Sequence, residues 1–328
     1  MFWRRKRSAV AVQDAPQGDG GTSRPTRGHR FRWIRGRRYV EGSSYIGAKD
    51  ADADQFLDFQ HFLVRRVIGG NHHAPLTQPR LILDVGCGTG RWVVEMATEF
   101  PGAQVVGLDL VVPSKAEPML NALGPLAANV SFVEADALQR LPFSDGTFDF
   151  VQLRLMYSDL PAASFPSVMR ELMRVTRPGG WIECVEPGEN IYDPGPAYQL
   201  TNHWTAELCR RRGLDPDMGP RLKYLLQEAG AVRVTEHVMP SFPDLAMTRE
   251  RRLWQTQCVG VLSDVFRDPI IEAGIATASD YDNALTALRI EFDQGRHANS
   301  DPLYVTFGQR PTMSYPLAEV QSGWLSRP

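Results

Sequence analysis

The segment Leu81-Ile82-Leu83-Asp84-Val85-Gly86-Cys87-Gly88-Thr89-Gly90 constrains this chain more than any other. An apolar run of strand length enters a turn of alternating glycines, and the stretch from about Arg91 to Glu99 that follows has helical spacing. Glycine adopts backbone conformations closed to other residues and lets a ligand approach the main chain, while the start of the next helix offers unpaired N–H groups. The spacing is G-x-G-x-G with Arg91 next, whereas the dinucleotide fingerprint is G-x-G-x-x-G, so a dinucleotide site is disfavoured.

Downstream, short apolar runs alternate with helical stretches. Strands are predicted at Leu81–Val85, Gln104–Leu110, Val130–Ala135, Phe148–Leu153, Trp181–Val185, Val232–Val238 and Leu303–Phe307. Helices are predicted from Asp50 to about Ile68, over Arg91–Glu99, near Ala163–Val175, over 197–212, near Arg221–Ala229 and across 248–294. Pro178 is read as ending a helix, and Gly179-Gly180 as turning the chain into the fifth strand. Strand and helix taking turns implies an α/β fold, a doubly wound, Rossmann-like sheet of seven strands.

At 328 residues and 43% hydrophobic, the chain can bury a full core. Cys87, Cys184, Cys209 and Cys258 have no CxxC spacing, so neither a disulfide framework nor a zinc site is indicated and reduced thiols in a cytoplasmic protein are expected. No apolar run approaches the ~20 residues of a bilayer span, so no membrane insertion is expected. The net charge of −2 conceals an asymmetry: residues 1–40 hold eleven Lys/Arg against two acids, and the remainder 25 basic against 36 acidic residues. Residues 1–40 are read as a disordered basic tail, since Arg clusters mixed with Gly, Pro and Ser bury little apolar area. Nucleic-acid contact by that tail is the functional alternative and a solvated tail the favoured reading. A catalytic domain is placed at 41–310, with cap insertions at about 187–220 and 245–300, and a peripheral tail at 311–328.

Two carboxylates narrow the ligand. Asp84, just before the glycines, would sit awkwardly beside a pyrophosphate but suits a ligand bearing an ammonium group and a sulfonium, as S-adenosyl-L-methionine does. Asp109 ends the second strand nineteen residues beyond Gly90, where a carboxylate can accept hydrogen bonds from both ribose hydroxyls. Together with Leu141-Pro142-Phe143-Ser144-Asp145-Gly146-Thr147-Phe148-Asp149 and Arg177-Pro178-Gly179-Gly180-Trp181, these motifs resemble the class I S-adenosylmethionine-dependent methyltransferase family over roughly residues 45–310. The resemblance implies that Asp84 and the turn Gly86, Cys87, Gly88 and Gly90 hold the methionine moiety. It places Asp109 on the ribose, Leu110 against adenine, Asp136 and Ala137 at the adenine amino group, and Arg154 in the pocket lining. It also implies an antiparallel last strand.

Leu57-Asp58-Phe59-Gln60-His61 and the long C-terminal elaboration are similar to a branch acting on small molecules in microbial secondary metabolism, including fungal regulator-type relatives. In that branch Tyr45 and the helix after it would form a lid. Methyl transfer from a sulfonium needs placement and desolvation of the nucleophile, and a general base only where a proton must leave. Tyr157, Asp159, Glu186 and His203 lie where such a base would be sought, and Glu186 and His203 are the catalytic candidates. Tyr192, Tyr198, Trp204, Met218 and Tyr224 are candidate walls of an acceptor pocket. The expected activity is methylation of an oxygen, nitrogen or carbon nucleophile on a small molecule. A regulator that binds the cofactor without transfer, and a protein or nucleic-acid methyltransferase recruited by the basic tail, are the alternatives.

Overall fold

The structure, a computed structural model, describes residues 30–34, 37–42, 47, 49–111, 116–189, 194–240, 249–295 and 302–312. Most of the basic tail, Tyr45, Tyr192 and most of the 311–328 segment lie outside the described residues.

Two strands precede the expected domain. β1 (Phe31–Ile34) and β2 (Arg37–Val40) pair antiparallel, with Phe31 opposite Val40, within the stretch read from composition as a disordered tail. The arginines there hold the hairpin rather than dissolve it. The Arg38 guanidinium lies 4.7 Å from the Phe31 ring centre, and Arg37 forms an ion pair with Asp50 at 2.6 Å. Asp50 in turn caps α1 (Ala51–Ile68), accepting the Ala53 N–H at 3.1 Å, and Gly69 closes the helix in the left-handed conformation at φ 79°.

The core sheet is built from β3 (Leu81–Val85), β4 (Gln104–Asp109), β5 (Val130–Glu134), β6 (Phe148–Arg154), β7 (Thr176–Pro187), β8 (Val232–Pro240) and β9 (Pro302–Gln309), in the order β5-β4-β3-β6-β7-β9-β8. β3 to β7 run parallel, and β9 is antiparallel to both neighbours. Burial on both faces explains why the central strands read as continuous apolar runs. On one face α2 (Arg91–Glu99) buries Trp92, Val93, Met96 and Ala97 against Ile82, Val105 and Phe150. On the other, α4 (Phe165–Val175) buries Phe165, Val168, Met169, Leu172 and Met173, and α6 (Leu222–Glu228) adds Leu222, Leu225 and Leu226. The strand order reverses between β3 and β6, which opens a crevice at their carboxyl ends.

Three local readings are corrected. A helix, α3 (Ala116–Leu123), occupies a stretch to which the sequence assigned none, because its eight residues between Pro113 and Gly124 are too short for a periodic signal. The helix before Pro178 ends at Val175, as its expected span has it, but Pro178 is not what ends it. β7 already begins at Thr176 and carries residues 177–180 as an irregularity opposite Phe148–Phe150, with Gly179 at φ 77°. The two insertions, finally, form a single cap.

That cap comprises α5 (Pro196–Arg211), α7 (Arg249–Val261), α8 (Arg267–Glu272) and α9 (Ala278–Gln294), with a π-helical turn at Leu262–Phe266 between α7 and α8. Tyr198, Leu208, Phe266, Ile270, Tyr281, Leu288 and Phe292 make its own core. Glu291 joins the halves, its carboxylate accepting the Ala197 N–H at 2.8 Å and so satisfying an open donor of the first turn of α5. Truncation of Leu288 to alanine should lower stability by about 2–5 kcal/mol, because the side chain is fully buried where two insertions meet. Chemical denaturation monitored by circular dichroism reads this directly.

Candidate active site

The glycine turn sits above the carboxyl end of β3. Gly86, Gly88 and Gly90 all adopt positive φ, at 79°, 55° and 78°. A Cβ on Gly86 would overlap the Met156 sulfur. The Gly86 and Cys87 N–H groups donate to the Leu108 carbonyl at 2.8 and 3.0 Å, and Gly88 N–H donates to Asp109 Oδ2 at 2.9 Å. Three backbone donors of the turn are thus drawn sideways to β4. The turn offers close approach rather than an anion cradle, which is the physical reason a pyrophosphate does not suit it.

Asp84 and Arg154 lie on adjacent strands. Asp84 pairs in register with Gln152, two residues before Arg154, so both side chains project from the same face of the sheet. Asp84 is buried and accepts no hydrogen bond from any described residue. Burial pushes its carboxyl up to about 7, with Arg154 opposing the rise and Asp109 adding to it. Arg154 Nη2 lies 2.7 Å from His61 Nδ1, whereas its buried Nη1 has no partner.

His61 Nε2 lies 3.2 Å from Glu95 Oε2, completing a row from α2 through α1 to β6. Burial holds His61 below the usual imidazole range, Glu95 opposing and Arg154 reinforcing. A neutral ring can accept from Arg154 at Nδ1, while its Nε2 stands beside Glu95 Oε2 without completing a hydrogen bond. The anion Asp84 and the donor Arg154 Nη1 are therefore neighbouring buried groups that each lack a partner. Such a pair fits the ammonium and carboxylate of an amino-acid head.

At the end of β4, Asp109 is buried. Its Oδ1 lies 3.4 Å from Lys49 Nζ and 3.3 Å from the Val111 N–H. A side cavity of about 140 Å³ runs from Asp109 along Leu110, Asp136, Ala137 and Val40, so the residues assigned to the adenosine share one wall. Val40 brings the unforeseen hairpin into this wall. Replacement of Asp109 by alanine should weaken cofactor binding by about 1–3 kcal/mol through lost charge-assisted hydrogen bonds. Calorimetry giving unchanged affinity would remove Asp109 from the ribose site.

The main cavity, of about 530 Å³, is walled by the glycine turn, Asp84, Arg154, α1 and the π-helical turn of the cap. α1 is fastened over it on two sides. Asp58 accepts Thr89 Oγ1–H at 2.6 Å and Arg91 Nη2–H at 3.0 Å, while His61 holds Arg154. Leu155 turns the chain at the floor with φ 58°, a left-handed non-glycine residue. A further lobe of about 210 Å³ continues beneath the cap, lined by Leu63, Val67, Tyr198, Trp254 and Leu303.

Neither catalytic candidate is brought to these cavities. Glu186 is fully buried and accepts the Met156 and Tyr157 N–H groups at 2.8 and 3.1 Å, and burial pushes its carboxyl well above the usual range. It anchors the loop after β6. His203 is exposed on the outer side of α5. Of the suggested pocket aromatics Tyr198 lines the lobe, Trp204 stacks on Tyr281 at 5.6 Å inside the cap, Met218 is in the sheet core and Tyr224 is exposed. Gln60, His61, Lys49 and the π-helical turn escaped sequence reasoning. An amphipathic helix does not announce which side chains meet another element.

The family profile described as "Methyltransferase domain" matches residues 82–180. The methyltransferase pytC of Aspergillus terreus is 30% identical over 241 residues, covering 68% of this chain and 70% of that protein. The chain belongs to the class I S-adenosylmethionine-dependent methyltransferase family. The N-methyltransferase tcpN of Claviceps purpurea is 26% identical over 288 residues, 83% of this chain and 99% of that one. The secondary metabolism regulator LAE1 of Cochliobolus heterostrophus is 30% identical over 222 residues, 63% of this chain and 68% of that one. The methyltransferase uses S-adenosylmethionine as its cofactor. Among the described residues no helix is long and apolar enough to cross a membrane, and no cluster of His, Cys, Asp and Glu could hold a metal.

Proposed function

We propose that this methyltransferase transfers the methyl group of S-adenosylmethionine to an oxygen, nitrogen or carbon nucleophile of a small metabolite held under the cap. The observation that carries the reading is a continuous path from Asp84 and the open Nη1 of Arg154, past the glycine turn, into the lobe beneath α7. In this reading Asp84 binds the ammonium, Arg154 Nη1 the carboxylate, Asp109 the ribose hydroxyls, and Leu110, Asp136 and Ala137 the adenine. Gly86, Cys87, Gly88 and Gly90 let the methionine chain lie against the backbone. The cofactor supplies an already activated methyl electrophile, so the chain's own residues orient the acceptor and exclude water.

No side chain is assigned as general base. The positions of Glu186 and His203 favour a positioning role for the first and a surface role for the second. Replacement of Glu186 by glutamine should therefore lower both stability and cofactor affinity, because an amide N–H₂ would face one of the two loop N–H donors. Lowered turnover with unchanged affinity and stability would return Glu186 to the role of base.

Cofactor binding should also depend on pH. Asp84 pairs with an ammonium only when ionised, so affinity should fall as pH drops below about 7, approaching tenfold per unit. Asp159, also pushed up to about 7 by burial, adjoins the same cavity. Asp84→Asn isolates the Asp84 contribution by flattening the profile. Calorimetric titration with S-adenosylmethionine and S-adenosylhomocysteine tests the function first, and absence of binding to either would overturn it.

A further inference from the structure

The main cavity and the lobe under the cap meet at a throat. Phe56, Gln60, Leu155, Tyr157, Val261 and Phe266 line both spaces. Four of these six are apolar. Gln60 has no hydrogen-bond partner among the described residues, and its carboxamide both donates and accepts. The anchoring of α1 fixes where it stands, because Asp58 is tied to the glycine turn and His61 to Arg154. Gln60 is half-buried, so in the open throat water can complete its hydrogen bonds, and a ligand that displaces that water must replace them.

Among the described residues that line the lobe beyond the throat there is no Asp, Glu, Lys, Arg or His. Its polar atoms are those of amides, hydroxyls and one thiol, from residues such as Asn202, Thr201, Thr205 and Cys258. A charged acceptor entering it would shed its hydration and meet no counter-ion. The volume, about 210 Å³, is below the ~300–1,000 Å³ of ordinary ligand pockets, so the lobe holds part of an acceptor while the reacting end stands in the throat.

Building on the function proposed above, we infer that the acceptor is an uncharged, largely apolar molecule, and that the Gln60 carboxamide oxygen accepts the X–H of its nucleophilic hydroxyl or amine. Accepting that hydrogen fixes the orientation of X and leaves its lone pair free toward the methyl group. As the X–C bond forms and the C–S bond breaks, S-adenosylhomocysteine is released. The surplus proton stays on an amine product or passes from a hydroxyl to water, because an amide oxygen takes the hydrogen bond and not the proton. Gln60 thus selects between an acceptor with a polar handle at the throat and the same apolar body without one.

Three probes share one ring and differ in charge: 2-naphthol, 2-naphthoate and 2-naphthylmethylammonium. Naphthalene lacks the handle altogether. In calorimetric or tryptophan-fluorescence titrations of the full chain at neutral pH, 2-naphthol should bind at least tenfold more tightly than either ion. Its preference over naphthalene should drop about fivefold or more in Gln60→Leu, as expected for one lost hydrogen bond. Gln60→Leu should keep its affinity for S-adenosylhomocysteine, which shows that the helix remains docked. Equal binding of an ion, an unchanged preference in Gln60→Leu, or no binding of 2-naphthol overturns the inference. Failure of S-adenosylhomocysteine to bind the unaltered chain would overturn the proposed function instead, since the naphthol titrations read the lobe without cofactor.

Discussion

Valine in place of Gly86 should abolish cofactor binding and destabilise the fold by roughly 2–5 kcal/mol. About 1–2 kcal/mol comes from forcing a side chain into the left-handed region, where Gly86 sits at φ 79°. A further ~1–3 kcal/mol comes from overpacking, since the new Cβ overlaps the Met156 sulfur and that side chain must leave its place. Glu186 holds the N–H groups of Met156 and Tyr157, so the backbone there stays in place and the adjustment falls on the Met156 side chain. Denaturant titration gives the stability term and calorimetry the binding term. A variant that binds the cofactor normally would show that the turn does not need this close approach.

Methionine in place of Arg154 should cost about 1–4 kcal/mol at pH 8, the range for taking a nearby opposite charge away from a buried carboxylate. Asp84 would remain buried without its nearest cation. The penalty has a defined pH dependence. In the folded state Asp84 already holds its proton up to about 7, well above its unfolded value of 3.8, and without Arg154 it would hold it higher still. A folded state that binds more protons than the unfolded one loses stability as pH rises. The stability gap between variant and parent should therefore narrow at pH 6 and widen at pH 8. Cofactor affinity should fall at least a hundredfold, since the freed carboxylate of the ligand would meet no guanidinium. A gap independent of pH would show that Arg154 does not act on Asp84.

Adjacent to this pair, His61 illustrates how far pattern reading reaches. As part of the helical stretch 50–68 it is one polar position among several, and its ring looks like helix surface. In the structure it is buried between Arg154, 93 residues away in sequence, and Glu95 on a different helix. The same limit produced the base candidates. Glu186 ends a strand where catalytic groups gather, but the loop after β6 folds back over it and consumes both its oxygens.

The hairpin β1–β2 shows the converse failure. Composition averaged over forty residues reports disorder, whereas two runs of four residues dock through a ring–guanidinium contact, hydrogen bonds between Arg38 and Lys49, and the Arg37 ion pair to the cap of α1. The hairpin matters for the site because Val40 walls the side cavity that carries Leu110, Asp136 and Ala137.

What the sequence determined by itself is the part of the protein governed by local rules. Seven strands, their alternation with helices, the glycine turn and the acids that end β3 and β4 all follow from periodicity and from conformations only glycine tolerates, so their positions survive in the structure to within a few residues, the early start of β7 apart. Tertiary structure decided everything that depends on which distant side chains share a space. It drew the turn's N–H groups to β4, joined two insertions into one cap, left Asp84 and Arg154 each short of a partner, and set Gln60 at the throat. Burial and hydrogen-bond completion are properties of an assembled interior, and no spacing along a chain encodes them.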